Sequence, residues 1–305
     1  MIWKAFWSDL KKMIDLLIFA KQNEIYAVSR LRQEAKKAGL NYKVIRYEGI
    51  HLNLRRGKAE FFYKGRSLPE AKMAVFRVAG RGGAGEYFVP QRTALLELWQ
   101  NRPMAIVNLK TYLRFPRLNK LGQHFYFAKY DLPFVASRNF AALDLLNPEK
   151  FKFPLIVKNR YGSGGQKVFK ADSPLELRNL LLEDPVSMLI QPFLTTGFDY
   201  RVIVIGGKAI GAMKKTAPKG EFLTNVARGG TATKAALTTE LKTLAEKAAK
   251  IFLTDYAGVD IMYDHKGQPY ILEVNRGAQF EGFEESTGIN VASKLIEWLQ
   301  SQTKK

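Results

Sequence analysis

The sequence contains no cysteine and only three histidines, His51, His124 and His265, which lie far apart along the chain. The first shortage excludes disulfides, thiolate metal sites, iron–sulfur clusters and a cysteine nucleophile, and the second disfavours a histidine-based zinc site. Any metal must therefore be held by oxygen. Acidic residues are also scarce: 28 Asp and Glu stand against 48 Lys and Arg, a formal net charge of +20. Such a field attracts anions, so nucleotides, nucleic acid, acidic peptides and anionic lipid all qualify as partners. The apolar stretch at residues 14–20 is broken by Asp15 and falls far short of the ~20 residues that span a bilayer. Residues 1–13 mix Lys4, Lys11 and Lys12 with Trp3, Phe6 and Trp7 but lack a signal-peptide apolar core. The expectation is a cytoplasmic protein without a transmembrane segment.

What is present is ample material for a core. The chain has 305 residues, 47% hydrophobic and 12% aromatic, enough for about two compact units. Leu16–Phe19 reads as a strand, and Ile25, Val28, Leu31, Ala35 and Ala38 recur at helical spacing before Gly39. Tyr42–Tyr47 then alternates like a strand, so the opening is a β-α-β unit with a parallel pair. Further strand candidates are residues 59–63 and 74–78, the latter leading into the glycine cluster of residues 79–85. That cluster lacks the Lys-Ser/Thr of a phosphate loop and reads as a flexible crossover, with Arg77 a candidate anion contact. A basic stretch, Lys110, Arg114, Arg117 and Lys120, precedes a helix-like segment at 125–129 and a strand-loop-strand unit at 155–170. Strand patterns return at 188–191, 201–205, 208–214, 258–263 and 268–274, with helical stripes at Leu241, Leu244, Ala248, Ile251 and at Val291, Leu295, Trp298. No internal repeat or low-complexity segment is evident.

Three segments carry chemistry. Residues 257–263 and 270–275, joined by a turn at Asp264–Gly267, read as an antiparallel hairpin. With Tyr263 opposite Gln268, Asp260 falls opposite Ile271, and the two-residue period puts Asp260, Glu273 and Asn275 on one face. Three converging oxygen ligands suit a hard cation such as magnesium. An ordinary solvent-facing polar edge is the alternative that spacing leaves open. Second, Lys158 ends a strand and opens the loop Gly162-Ser163-Gly164-Gly165. Backbone N–H groups of such a loop turn onto phosphate oxygens, and the lysine adds a point charge; a plain hairpin tip is the alternative. Third, the strand ending at Gln191, Pro192, Phe193 and Leu194 leads to Asp199. Free backbone at a strand end can read an adenine edge, and a nearby carboxylate can take ribose hydroxyls.

Taken in order, these segments resemble the ATP-grasp fold and, within it, the RimK-like carboxylate–amine (alpha-L-glutamate) ligases. The matching stretches are residues 63–69, Pro154–Lys158, Asp199-Tyr200-Arg201, residues 225–230, Gly258-Val259-Asp260, Glu273-Val274-Asn275 and residues 286–292. They cover nearly everything after residue 14. The fold implied is α/β (α+β): a pre-ATP-grasp domain with a parallel sheet at 14–108, a small central subdomain at 109–187, and an antiparallel-sheet subdomain at 188–305, after an extension at 1–13.

The resemblance also implies roles. Asp260, Glu273 and Asn275 would hold magnesium or manganese, and Lys158 and Lys120 would contact ATP phosphates beneath the 162–165 flap. Gln191, Pro192, Phe193 and Leu194 would form the adenine hinge, Ile156 and Leu272 would sandwich the base, and Asp199 would lie near the ribose. Leu223, Thr224 and Asn225 would line the nucleotide, while Arg201, Arg228, Gly229 and Gly230 would receive an acyl phosphate. The implied activity is ATP-dependent joining of an amino acid, glutamate first, to a carboxylate acceptor. The basic balance points to an acidic acceptor: a protein tail, a peptide or a small molecule. Arg276-Gly277-Ala278-Gln279 replaces the Ser-Pro pair of many relatives, so acceptor identity stays open, as does homo-oligomerisation. The rival expectation is a basic RNA- or ribosome-associated binding protein that keeps the fold as a scaffold, with nonspecific nucleic-acid contact.

Overall fold

The computed structural model describes residues 13–21, 25–77, 88–161, 167–194, 196–224, 226 and 229–303. The first apolar run forms β1 (Ile14–Ala20), in which Leu16 through Ala20 are completely buried. A strand apolar on both faces belongs inside a parallel sheet. Accordingly β1 lies between β2 (Tyr42–Arg46) and β6 (Ala71–Phe76), with β7 (Ala105–Ile106) beyond, all parallel. Leu16, Ile18 and Ala20 face a core shared with α1 (Tyr26–Lys37) and α8 (Val291–Gln302), whereas Leu17 and Phe19 face one shared with α2 (Val89–Trp99). Gly39 ends α1 as expected, because its φ of +69° is a conformation glycine adopts without a Cβ clash. Between β2 and β6 the chain makes a separate antiparallel sheet of β3 (Ile50–Arg55), β4 (Lys58–Tyr63) and β5 (Arg66–Ser67).

The central region supplies a three-stranded antiparallel sheet ordered β10-β8-β9, from β8 (Leu155–Asn159), β9 (Val168–Ala171) and β10 (Met188–Pro192). α5 (Pro174–Leu181) packs Leu177 and Leu181 against it. The larger antiparallel sheet is ordered β13-β12-β11-β14-β15, built from β11 (Phe198–Ile205), β12 (Lys208–Thr216), β13 (Thr231–Ala235), β14 (Tyr256–Tyr263) and β15 (Pro269–Asn275). α6 (Thr239–Ile251) covers one face, burying Val202, Val204, Val259, Ile261 and Val274. The opposite face is divided. At one end Ile203, Ile205 and Met213 join the core of β1 and α8; at the other the same alternation presents Arg201, Asp199, Lys215, Asp260 and Glu273.

The basic stretch and the segment after it become α3 (Leu109–Arg114) and α4 (Lys120–Lys129), a longer helix than 125–129. Asn119 caps α4 by accepting the Gly122 N–H at 2.9 Å. The terminal hairpin keeps its predicted sense but not its predicted register. Tyr263 faces Pro269 instead of Gln268, and a bulge after Asp260 places that residue opposite Glu273, not Ile271. The one-residue slip alone would have turned Asp260 away; the bulge inserts Leu272 and restores the shared face. No helix among the described residues is long and apolar enough to cross a membrane.

Candidate active site

Strand pairing brings the charged residues together. Asp260 is the direct cross-strand partner of Arg201 on one side and of Glu273 on the other, and Asp199 is opposite Lys215. Arg201 donates from Nε and Nη2 to the two oxygens of Asp260 at 2.8 and 2.7 Å, a bidentate pair. Lys215 Nζ stands between two acids, 2.8 Å from Asp199 Oδ1 and 3.2 Å from Asp260 Oδ2. Its approach to Asp199 lies off the hydrogen-bond direction, so Oδ1 is buried with an ionic neighbour but no directed donor. Thr224 donates to the other oxygen, Oδ2.

Burial pushes the Asp199 carboxyl up, reinforced by Asp260, and Lys215 does not fully offset this. Burial acts in the same direction on Asp260, yet Arg201 and Lys215 outweigh it and hold that carboxyl at about 2. Desolvation works against the Arg201 cation, but Asp260 raises its pKa beyond the ordinary value. Pairing of this kind offsets the desolvation cost of the buried ions.

Gly258 shows why this sequence must have glycine here. An added Cβ would lie 2.7 Å from Ala278 Cβ, closer than two such carbons can approach, so the Ala278 segment would have to shift; Arg201 Cδ, at 3.4 Å, would only be in contact.

The outer edge of β15 is covered by side chains and a loop. The Gln123 side chain accepts from the Val274 N–H at 2.6 Å and donates to the Val274 carbonyl at 3.3 Å, replacing a neighbouring strand. The Ile271 N–H donates to the Pro133 carbonyl at 2.8 Å, and Phe134 bridges to Ile271. Four residues on, Arg138 pairs with Ile190 of β10, so the 134–138 ribbon joins the two antiparallel sheets. At the same junction the Lys120 N–H donates to the Arg160 carbonyl at 3.1 Å, and its Nζ lies 3.3 Å from Glu273.

Lys158 occupies this junction without a carboxylate at salt-bridge distance among the described residues, although it is only 8% exposed. Burial, assisted by Lys120, lowers its pKa to about 8. His124 is likewise driven down to about 3 by burial and by Lys158; its ring lies 2.8 Å from Ser137 Oγ. Three acids thus meet three bases, and Lys158 is an additional cation. The arrangement is preset for an anion.

Ile156 and Leu272 are half-buried in β8 and β15, the strands that also bear Lys158 and Glu273. Gln191 uses its side chain structurally, donating to Val135 O at 3.1 Å and Ser137 Oγ at 2.8 Å. Pro192 pairs with Leu155, and the Phe193 N–H donates to Pro154 O at 3.3 Å. The expected hinge is therefore narrower than the sequence suggested: among its four residues, Leu194 retains an N–H with no partner among the described residues. Leu223 is half-buried next to Thr224. Gly229 adopts φ +90° and donates its N–H to Val226 O, leaving the buried Gly230 amide as the second candidate donor. Asn275 shares the Glu273 face and its Oδ1 accepts the Gly277 N–H at 2.9 Å. Gly162, Ser163, Gly164, Gly165, Asn225 and Arg228, and the 79–85 glycine cluster, lie outside the described residues. No cluster of three His, Cys, Asp or Glu side chains suited to a metal occurs among the described residues, so an ion here would rely on the Asn275 amide as well as two carboxylates.

Sequence reasoning missed Lys215 and Gln123. The signal for Lys215 was present: Lys214 and Lys215 are adjacent in a strand, so one must point inward. The Gly206-Gly207 turn places the inward one within a residue of Asp199. Gln123 gave no comparable signal.

Two family models match the chain: the RimK PreATP-grasp domain at residues 14–97 and the RimK-like ATP-grasp domain at 133–299. Among curated proteins, it is 30% identical over 300 residues to a "Probable alpha-L-glutamate ligase" of Legionella pneumophila, covering 95% of this chain and 96% of that protein. It is 28% identical over 296 residues to an Escherichia coli "Ribosomal protein bS6–L-glutamate ligase", covering 93% and 95%. Among solved structures, the ATP-grasp ligase PsnB, complexed with a phosphomimetic precursor variant, Mg and ADP, matches with a TM-score of 0.72 at 19% identity, covering 95% of this chain and 99% of that one. The macrocyclase MdnC of Microcystis aeruginosa, bound with precursor peptide MdnA, matches with a TM-score of 0.69 at 12% identity, covering 94% and 100%. These two structural likenesses speak to the fold.

Proposed function

The chain belongs to the RimK-like ATP-grasp family, whose curated members named above are ligases, and from that premise we propose an ATP- and magnesium-dependent ligation of an amino acid to a carboxylate acceptor. Glutamate is the proposed amino acid, after the names of the two curated relatives. The proposed route activates the acceptor carboxylate as an acyl phosphate, which the amine then attacks. The observation that carries the reading is Lys158: a buried ammonium with no acid partner among the described residues, beside Lys120, at the junction of two sheets.

The residues fit the groups this activity requires. Lys158 and Lys120 would receive phosphate oxygens, and the buried Asp199 Oδ1, lacking a directed donor, suits a ribose hydroxyl. The Leu194 N–H would meet the base edge, between Ile156 and Leu272. Asp260, Glu273 and Asn275 offer hard oxygen donors on one sheet face, the donor type magnesium prefers. Bound there, magnesium would neutralise charge on the transferred phosphoryl group.

Arg201 spends Nε and Nη2 on Asp260 and keeps Nη1 for a substrate oxygen. With the Gly230 amide and Arg228 it would stabilise the oxyanion formed when the amine adds. The rival reading, a nucleic-acid-binding scaffold, gives no reason for buried Asp199 and Asp260 to be kept ionically paired beside an unpaired lysine. The test is ADP formation with ATP and magnesium, adding glutamate and a glutamate-containing peptide separately and together. Turnover that needs both supports the ligase; salt-sensitive RNA binding without turnover would replace it with the scaffold.

A further inference from the structure

Among the described residues, the small sheet between β2 and β6 has a free edge. Its order is β3-β4-β5, so β3 is paired on one side only. Arg56 and Gly57 form a two-residue turn with Gly57 at φ +73°, which makes the flanking Arg55 and Lys58 a hydrogen-bonded pair. At the other end the Lys64 N–H donates to Gly49 O at 2.9 Å, which fixes the same parity. Hydrogen-bonded pairs alternate along an antiparallel ladder. Ile50, Leu52 and Leu54 therefore turn their N–H and C=O groups away from β4; the Ile50 N–H closes back onto Tyr47 O, and no described residue bonds to the outward groups of Leu52 and Leu54.

This edge is firmly held and strongly basic. Ile50, Leu52, Phe61 and Tyr63 pack into the core of the parallel sheet, and on the opposite face the His51 and Phe62 rings stack with centroids 5.0 Å apart. Residues 50–67 contain five bases, Arg55, Arg56, Lys58, Lys64 and Arg66, and one acid, Glu60. Glu60 accepts both Arg55, at 2.9 Å, and Lys58, at 2.7 Å. Arg56, Lys64 and Arg66 are exposed and have no carboxylate partner among the described residues. Leu54, at the tip, is 72% exposed.

We propose that this edge docks an extended acidic polypeptide segment, which adds to β3 as a further strand and sets carboxylates against Arg55, Arg56 and Lys58. The backbone groups of Leu52 and Leu54 supply the ladder, and the charges select the partner. A second copy of this chain is disfavoured because two such edges would repel, and a sugar–phosphate backbone cannot continue a β-ladder. Only the identification of the segment as the acceptor rests on the ligase reading; the binding does not.

The probe is a fluorescein-labelled peptide of alternating glutamate and valine, bound to the full chain and read by anisotropy at low and physiological salt. Arg56→Glu and Leu54→Pro should each weaken binding about tenfold, and Leu54→Ala less than about threefold, because proline removes an outward N–H without touching the ladder to β4. The same peptide N-methylated at alternate residues should lose binding to the unaltered protein, a readout independent of how any variant folds. Equal binding of the N-methylated peptide, an unchanged affinity in Arg56→Glu, or tighter binding of a uridine oligonucleotide at this edge would overturn the proposal. ADP formation with a free small acceptor should be unchanged in these variants. Its absence from the unaltered protein would count against the ligase reading and leave the docking result standing.

Discussion

Replacing Lys215 with methionine removes the one ammonium that lies between Asp199 and Asp260, at 2.8 and 3.2 Å. Asp260 keeps its bidentate arginine, but Asp199 is left with the Thr224 hydroxyl alone. Deleting one partner of a buried ion pair costs about 3–5 kcal/mol, because the remaining charge is neither hydrated nor compensated. For a chain of this size that corresponds to a fall in melting temperature of roughly 5–8 °C.

The pH dependence distinguishes this cause from simple misfit. The Asp199 carboxyl is already raised above its unfolded value, and loss of Lys215 raises it further. A carboxyl raised in the folded state binds protons that the unfolded state does not, so acidification from neutral pH toward the ordinary aspartate range favours the fold. The deficit of Lys215→Met should therefore shrink between pH 7 and pH 5, and Asp199→Asn in the same chain should recover part of it at neutral pH. Chemical denaturation of the nucleotide-free protein measures all three. A loss under about 1 kcal/mol that is the same at both pH values would refute the reasoning, because it would mean that water screens the cluster.

Lys158→Met should stabilise the nucleotide-free protein, by up to roughly 3 kcal/mol at neutral pH, while weakening ATP binding in calorimetry. A lysine lowered to about 8 destabilises the fold fully below that pH and is relieved toward its ordinary 10.5, so the stability gain should vanish over that interval. His124, held near 3, stays neutral in the fold while the unfolded imidazole charges below 6.5; the protein should thus lose stability, on the order of 4 kcal/mol, as pH falls through that range. His124→Gln should flatten the loss in acid denaturation curves. Gly258→Ala should cost about 1–3 kcal/mol by overpacking against Ala278, and a crystal structure of the variant should show the Ala278 segment shifted with the Arg201–Asp260 pair retained.

The parts of the fold legible in the sequence were those in which one periodicity dominates. β1 is a continuous apolar run, α1 a regular stripe closed by Gly39, and the β14–β15 hairpin two alternating strands around a turn. The register of that hairpin was not legible, because the bulge after Asp260 is a backbone event without a glycine or proline to announce it. Grouping Asp260, Glu273 and Asn275 succeeded since the slip and the bulge cancel. The site's cationic half was read less completely. Lys158 stood out beside a glycine-rich loop and Lys120 came with the family resemblance, whereas which of Lys214 and Lys215 faces Asp199 is set by another bulge, between Ile203 and Val204. Gln123 acts by replacing a strand at the edge of β15, a tertiary function that its place on a helix does not disclose.

On the proposed reading, the face shared by Asp260, Glu273 and Asn275 supports ATP-driven amide bond formation. Mass spectrometry of a glutamate-containing peptide incubated with ATP, magnesium and glutamate tests it most directly, using the unaltered protein beside Glu273→Gln. The expected product is a peptide heavier by one or more glutamyl residues, with one ADP formed per addition, and none from a Glu273→Gln variant whose melting temperature is retained. Product formation at the unaltered rate by Glu273→Gln would contradict it.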